Sequence, residues 1–112
     1  MPTFELTKEI TLKAKKYYFA FSMFKWRGYG VDIEHWDYTL ESLTLMASLA
    51  SVTSNIDLYA SIAIPTLHPA IIAKMAVTTD NISQGRFGIN IVSGWNKLEY
   101  SQMGLLADEA YL

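Results

Sequence analysis

The stretch from Ile56 to Val92 constrains the fold more than any other part of this chain. Ile56 to Ile64 alternates with a period of two. Ile56, Leu58, Ala60, Ile62 and Ile64 share one face, and Asp57, Tyr59, Ser61 and Ala63 the other. Pro65 has no amide proton to continue a ladder and closes the strand. Pro69 suits the first turn of a helix carrying Ile71, Ile72, Met75 and Ile82. Gly85 supplies a turn, and Phe87 to Val92 reads as a second strand, with Phe87, Ile89 and Ile91 on one side and Gly88, Asn90 and Val92 on the other. A strand, a helix and a strand of these lengths close as a right-handed crossover unit with parallel strands.

The residues upstream repeat the pattern. Thr3 is placed to cap a first helix, with Glu5 in its first turn, and Leu6, Ile10, Ala14 and Tyr17 recur at helical spacing. Phe19 to Met23 has the length of a buried strand. After a loop rich in aromatic and charged residues, Thr39 can cap a second helix with Leu40, Leu43, Ala47 and Ala50 on one stripe. Leu45, Met46 and Leu49 widen that stripe, so the helix should be buried on more than one side. The order helix, strand, helix, strand, helix, strand defines a parallel α/β layer. Its apolar strand face packs on helices. Ser61, Gly88 and Asn90 lie on the other face, toward the carboxyl ends of their strands, where parallel α/β proteins bind ligands.

Composition narrows the functions available. The chain has 112 residues, 51% of them hydrophobic and 18% charged, with a net charge of -2. That is the balance of a folded protein, with no basic surface to expect nucleic acid or an acidic membrane. Lys13, Lys15 and Lys16 cluster where a solvated helix face is expected. No apolar run is long enough to span a bilayer, and Met1 to Glu5 has no signal-peptide character. Cysteine is absent, which removes thiolate chemistry and disulfides and suits a cytoplasmic setting. His35 and His68 are too few and too far apart in sequence for a metal site.

Several residues have two readings. Asn90 is polar within an apolar strand, so its amide either bonds neighbouring strand groups or faces a polar heterocycle. Gly88 either packs closely or lets a flat ligand approach the backbone. Lys25 and Arg27, among Phe24, Trp26 and Tyr29, form a cation–aromatic mixture that suits an anionic or planar ligand and also ordinary loop packing. Glu99, after Trp95, either accepts hydrogen bonds from a ligand or sits in the first turn of a helix beginning near Asn96. No Ser-His-Asp set, paired carboxylates, Walker loop or dinucleotide fingerprint is present.

The run Gly85-Arg86-Phe87-Gly88-Ile89-Asn90-Ile91-Val92-Ser93-Gly94-Trp95 is more specific. It resembles a segment of the luciferase-like, FMN-dependent monooxygenases. Lys97, Glu99-Tyr100 and Gln102-Met103-Gly104 extend the likeness, as do Leu40-Glu41-Ser42, Pro69-Ala70-Ile71 and Asp80-Asn81-Ile82-Ser83. The resemblance spans nearly the whole chain and is strongest to the family's pyrimidine-oxidising branch. It implies a partial (β/α)8 barrel, roughly three parallel strands alternating with helices. The chain would be a single incomplete domain lacking the family's first strand and C-terminal part.

The resemblance further implies that Phe24, Lys25, Asn90 and Glu99 contact FMN. Ser61 stands where related enzymes carry a threonine lining the flavin and oxygen pocket, and Trp95 matches a tryptophan near it. The implied partners are reduced FMN from a separate NADH-using flavin reductase, dioxygen, and uracil or thymine, opened to a ureidoacrylate. The complete protein would be cytoplasmic, with homo-oligomers possible. A related monooxygenase of alkanesulfonates or dimethyl sulfone, and an inactive α/β piece, are the alternative readings. A barrel needs about 250 residues, so the 112-residue chain alone should bind FMN weakly and turn nothing over.

Overall fold

The computed structural model describes residues 3–14, 19–21, 40–93, 100–101 and 103–104. Its elements follow the expected alternation: α1 (Phe4–Lys13), β1 (Phe19–Phe21), α2 (Ser42–Val52), β2 (Leu58–Ala63), a 3-10 turn (Ile64–Thr66), α3 (Pro69–Ser83) and β3 (Phe87–Val92). The strands form one sheet in the order β1-β2-β3, parallel at both pairings. This is the α/β architecture read from the sequence.

The core lies between the sheet and the helices. Leu43, Leu45, Met46, Leu49 and Ala50 of α2 are buried against Leu58, Ala60 and Ile62 of β2, with Ile56 just before the strand. Ile72, Met75 and Phe87 pack around this cluster. Helix α2 is therefore buried over a wide arc, as its sequence implied. Ile64 does not extend the buried face of β2, because the 3-10 turn rotates it outward.

Three other sequence expectations are corrected. Helix α1 carries its Thr3 cap, with Oγ1 accepting from the Leu6 amide at 3.2 Å. Yet Leu6 and Ile10 are each 50% exposed, while Thr7 and Thr11 are buried. The inward stripe is Phe4, Thr7, Thr11 and Ala14. Each threonine hydroxyl donates to the carbonyl four residues back, Thr7 to Thr3 at 3.0 Å and Thr11 to Thr7 at 2.7 Å. With its hydroxyl satisfied locally, a threonine can occupy an apolar interface. In α3, Ile72 and Met75 face the core, whereas Ile71 and Ile82 face out and the small Thr79 and Ser83 fill the tight inner positions.

The third correction concerns α2, which is capped by Glu41; Thr39 lies outside the described residues. Both carboxylate oxygens of Glu41 accept backbone amides, from Leu43 at 2.9 Å and from Thr44 at 2.7 Å. A negative charge there also complements the helix dipole. The opposite end of α2 is held by Arg86. All five guanidinium N–H groups of an arginine can donate, and here Arg86 donates to five oxygens: Ser83 O, Thr53 Oγ1, Ile56 O, Ala50 O and Thr53 O, at 2.6–3.2 Å. This clamp ties the end of α2, the approach to β2 and the end of α3 to the start of β3. The turn feeding it uses Gln84 and Gly85 at φ 58 and 84, a left-handed pair that ends α3.

Candidate functional site

The parallel register places Tyr59 beside Gly88 and Ser61 beside Asn90. These four residues occupy the sheet face turned away from α2 and α3, because Leu58, Ala60 and Ile62 fill the helix-covered face. The residues expected on the ligand face are thus brought together, in two layers. Ser61 and Asn90 form the upper layer, nearer the carboxyl ends of β2 and β3. Tyr59 and Gly88 form the lower one.

In the upper layer the Asn90 amide nitrogen donates to Ser61 Oγ at 3.1 Å. Asn90 thus bonds the neighbouring strand, and it does so on an exposed face. The bond uses one of the amide's two N–H groups. Among the described residues, Asn90 Oδ1 and the other N–H have no partner. The Ser61 hydroxyl accepts from Asn90 and keeps its own proton to donate. An amide beside a hydroxyl is a donor–acceptor edge suited to a heterocycle carrying carbonyl and ring N–H groups.

The backbone under Ser61 is pinned from the helix side. Ser42 Oγ, buried at the first turn of α2, donates to Ser61 O at 2.9 Å. A cavity of about 220 Å³ opens next to this contact, lined by Glu41, Ser42, Ser61, Ile62, Leu67 and Met75 among others. On the carboxyl side, Ala63 is buried against Tyr100, with Met103 packed beside them. Tyr100 and Met103, which follow β3 in the chain, thus lie at the end of β2, two residues from Ser61.

In the lower layer the sequence reading of Gly88 is resolved toward packing. A Cβ at Gly88 would stand 2.5 Å from Cε1 and 2.7 Å from Cδ1 of Tyr59. The ring of Tyr59 therefore takes the space above Gly88 that a flat ligand would have used. Sequence reasoning overlooked Tyr59, Ser42 and Glu41 as parts of this site. The period-two alternation already placed Tyr59 on the face of Ser61, which was the available signal. Phe24, Lys25, Trp95 and Glu99 lie outside the described residues. Among the described residues no cluster of three metal-ligating side chains occurs, and no helix is long and apolar enough to cross a membrane.

A parallel α/β layer with a polar pair at the carboxyl ends of adjacent strands is the arrangement expected of a barrel enzyme. The family model for luciferase-like monooxygenases matches residues 26–111, and the chain belongs to that family. Among curated relatives, it is 58% identical over 113 residues to pyrimidine monooxygenase RutA of Caulobacter vibrioides, covering 99% of this chain and 32% of that protein. It is 62% identical over 112 residues to the RutA of a Bradyrhizobium species, covering 98% and 31%. The chain therefore spans about a third of the length of the curated relatives it matches.

Two solved structures share its fold. A riboflavin lyase, solved with modified FMN and riboflavin, superposes with a TM-score of 0.77 at 19% identity, over 97% of this chain and 28% of its own. The EDTA monooxygenase of Chelativorans superposes at 0.71 and 15% identity, over 96% and 29%.

Proposed function

We propose that this chain forms one wall of the FMN site in a flavin-dependent monooxygenase that opens the pyrimidine ring of uracil or thymine. The observation that carries the reading is the Ser61–Asn90 pair, 3.1 Å apart across β2 and β3, on the sheet face turned away from α2 and α3. It offers a hydroxyl donor, an amide acceptor and an amide donor to one heterocyclic edge, and both flavin and pyrimidine carry complementary carbonyl and N–H groups. The curated relatives named pyrimidine monooxygenase, 58–62% identical along nearly the whole chain, direct the choice of substrate.

In this reading Asn90 orients the flavin, while Ser61 lines the pocket and can donate its proton to a bound carbonyl oxygen. Phe24, Lys25 and Glu99 complete the contacts to FMN, and Trp95 borders the pocket. Ser42 holds the Ser61 backbone in place. Reduced FMN, when bound, supplies the electrons that activate dioxygen, and the protein orients the reactants and excludes bulk water. A separate NADH-using reductase supplies the reduced flavin, and the setting is cytoplasmic.

We also read the chain as part of a single barrel domain. Ile89 and Ile91 of β3 and Ile71, Val77 and Ile82 of α3 are exposed on the flank that a following strand–helix unit would cover. By itself the 112-residue chain should bind FMN weakly and show no turnover.

The test sets this chain into the Caulobacter vibrioides pyrimidine monooxygenase in place of the third it matches. That barrel is supplied with FMN, NADH, a flavin reductase and dioxygen. Loss of the ultraviolet absorbance of uracil, with a ureidoacrylate product, is expected. A barrel that folds and binds FMN yet consumes neither uracil nor thymine would falsify the proposal.

A further inference from the structure

Beneath the Ser61–Asn90 pair, the same sheet face carries one large side chain next to a residue that has none. Tyr59 pairs in register with Gly88, and its ring lies where a Gly88 side chain would begin. Same-face neighbours on a strand are separated by roughly 6.6 Å, two residues of rise. Tyr59 therefore stands one layer deeper than the polar pair. Tyr59 is 38% exposed and is not part of the apolar cluster between sheet and helices.

In a closed barrel the deeper interior is filled by layers of side chains, and the ligand sits above them at the carboxyl face. The two positions are mutually dependent, because the ring can take this place beside β3 only if position 88 lacks a Cβ. We propose that Tyr59, seated on Gly88, is the floor of the flavin pocket and fixes how deeply a flat heterocycle rests against Ser61 and Asn90. It is a positioning residue that acts by contact and by limiting depth. The inference rests on the flavin reading above and deepens it.

The test uses the barrel completed with the Caulobacter vibrioides sequence and reads FMN affinity by fluorescence titration, alongside the thermal unfolding midpoint without FMN. Tyr59→Phe keeps the ring and should leave FMN affinity within about twofold. Tyr59→Ala removes an aromatic contact and should weaken FMN roughly fivefold. Gly88→Ala forces the ring off its seat and should weaken FMN roughly tenfold while Tyr59 is present. In the Tyr59→Ala background, the same Gly88→Ala change should cost no more than about twofold, because nothing remains to collide with.

A merely structural role would lower the unfolding midpoint and leave the FMN affinity of the folded protein unmoved. That result overturns the inference, and so does an equal loss of affinity from Gly88→Ala in both backgrounds. Should Gly88→Ala fail to fold, the contrast between Tyr59→Phe and Tyr59→Ala decides: equal affinities overturn the floor. A parent barrel that binds FMN but ignores pyrimidines overturns the functional reading alone, and the floor is still judged by FMN affinity. A folded parent that binds no FMN overturns both.

Discussion

The sheet face toward α2 and α3 and the face turned away from them are built on opposite rules, although they belong to the same strands. On the helix side Leu58, Ala60 and Ile62 are buried among the apolar residues of α2. On the other side Tyr59, Ser61, Gly88 and Asn90 combine a ring, a hydroxyl, a bare backbone and an amide. The helix side needs volume and shape, which many apolar sequences can provide. The open side needs particular atoms in register. One face holds the fold together, and the other has groups to offer a ligand.

The contrast can be broken first at Arg86, which closes the helix side. Arg86→Ala removes all five guanidinium hydrogen bonds at once and leaves the carbonyls of Ala50, Thr53, Ile56 and Ser83 short of a partner. Unmet buried acceptors and the lost charged donor together should cost about 4 kcal/mol in urea unfolding of the chain. A loss below about 1 kcal/mol would mean that water replaces the guanidinium and that no clamp exists. Leu49→Ala comes next. Leu49 is fully buried in the α2–β2 contact, and its removal should cost about 3 kcal/mol with the unfolding m-value unchanged.

How much of this was legible in the sequence differs between the faces for a physical reason. Alternation located β2 and β3 and sorted their residues to sides, because a strand reports its faces at period two. Helical spacing was less decisive in α1 and α3. There the apolar residues Leu6, Ile10, Ile71 and Ile82 proclaim one stripe, while Thr7, Thr11, Thr79 and Ser83 fill the inner positions. A threonine bonded to its own helix carries no mark of burial in a sequence. The five-donor role of Arg86 was equally hidden, since its acceptors lie as many as 36 residues away in the chain. Nor could spacing show that the Gly88 vacancy is filled by Tyr59, because that depends on the register between two strands.

Glu41 gives a smaller and cleaner measurement. Its two oxygens satisfy two amides at the start of α2, next to the Ser42 that holds Ser61. Glu41→Ala should cost about 1 kcal/mol, the usual range for a lost helix cap. Glu41→Gln keeps an acceptor and should recover about half of that, the remainder reflecting the charge at the helix terminus. If both substitutions are silent, the cap contributes nothing measurable to the stability of α2.

The smallest stability effect is expected at Asn90, and it separates the faces most sharply. Asn90 is exposed, and among the described residues its amide makes one hydrogen bond, to Ser61. Water can replace that bond on an open face, so Asn90→Ala should change the stability of the chain by no more than about 0.5 kcal/mol. In the completed barrel the same substitution should weaken FMN binding roughly tenfold, the worth of one or two hydrogen bonds to a ligand. A core asparagine bonded only to its neighbour would behave in the reverse way, costing stability and leaving FMN affinity intact. Urea unfolding of the chain and FMN titration of the barrel therefore give opposite answers for the two roles of one side chain.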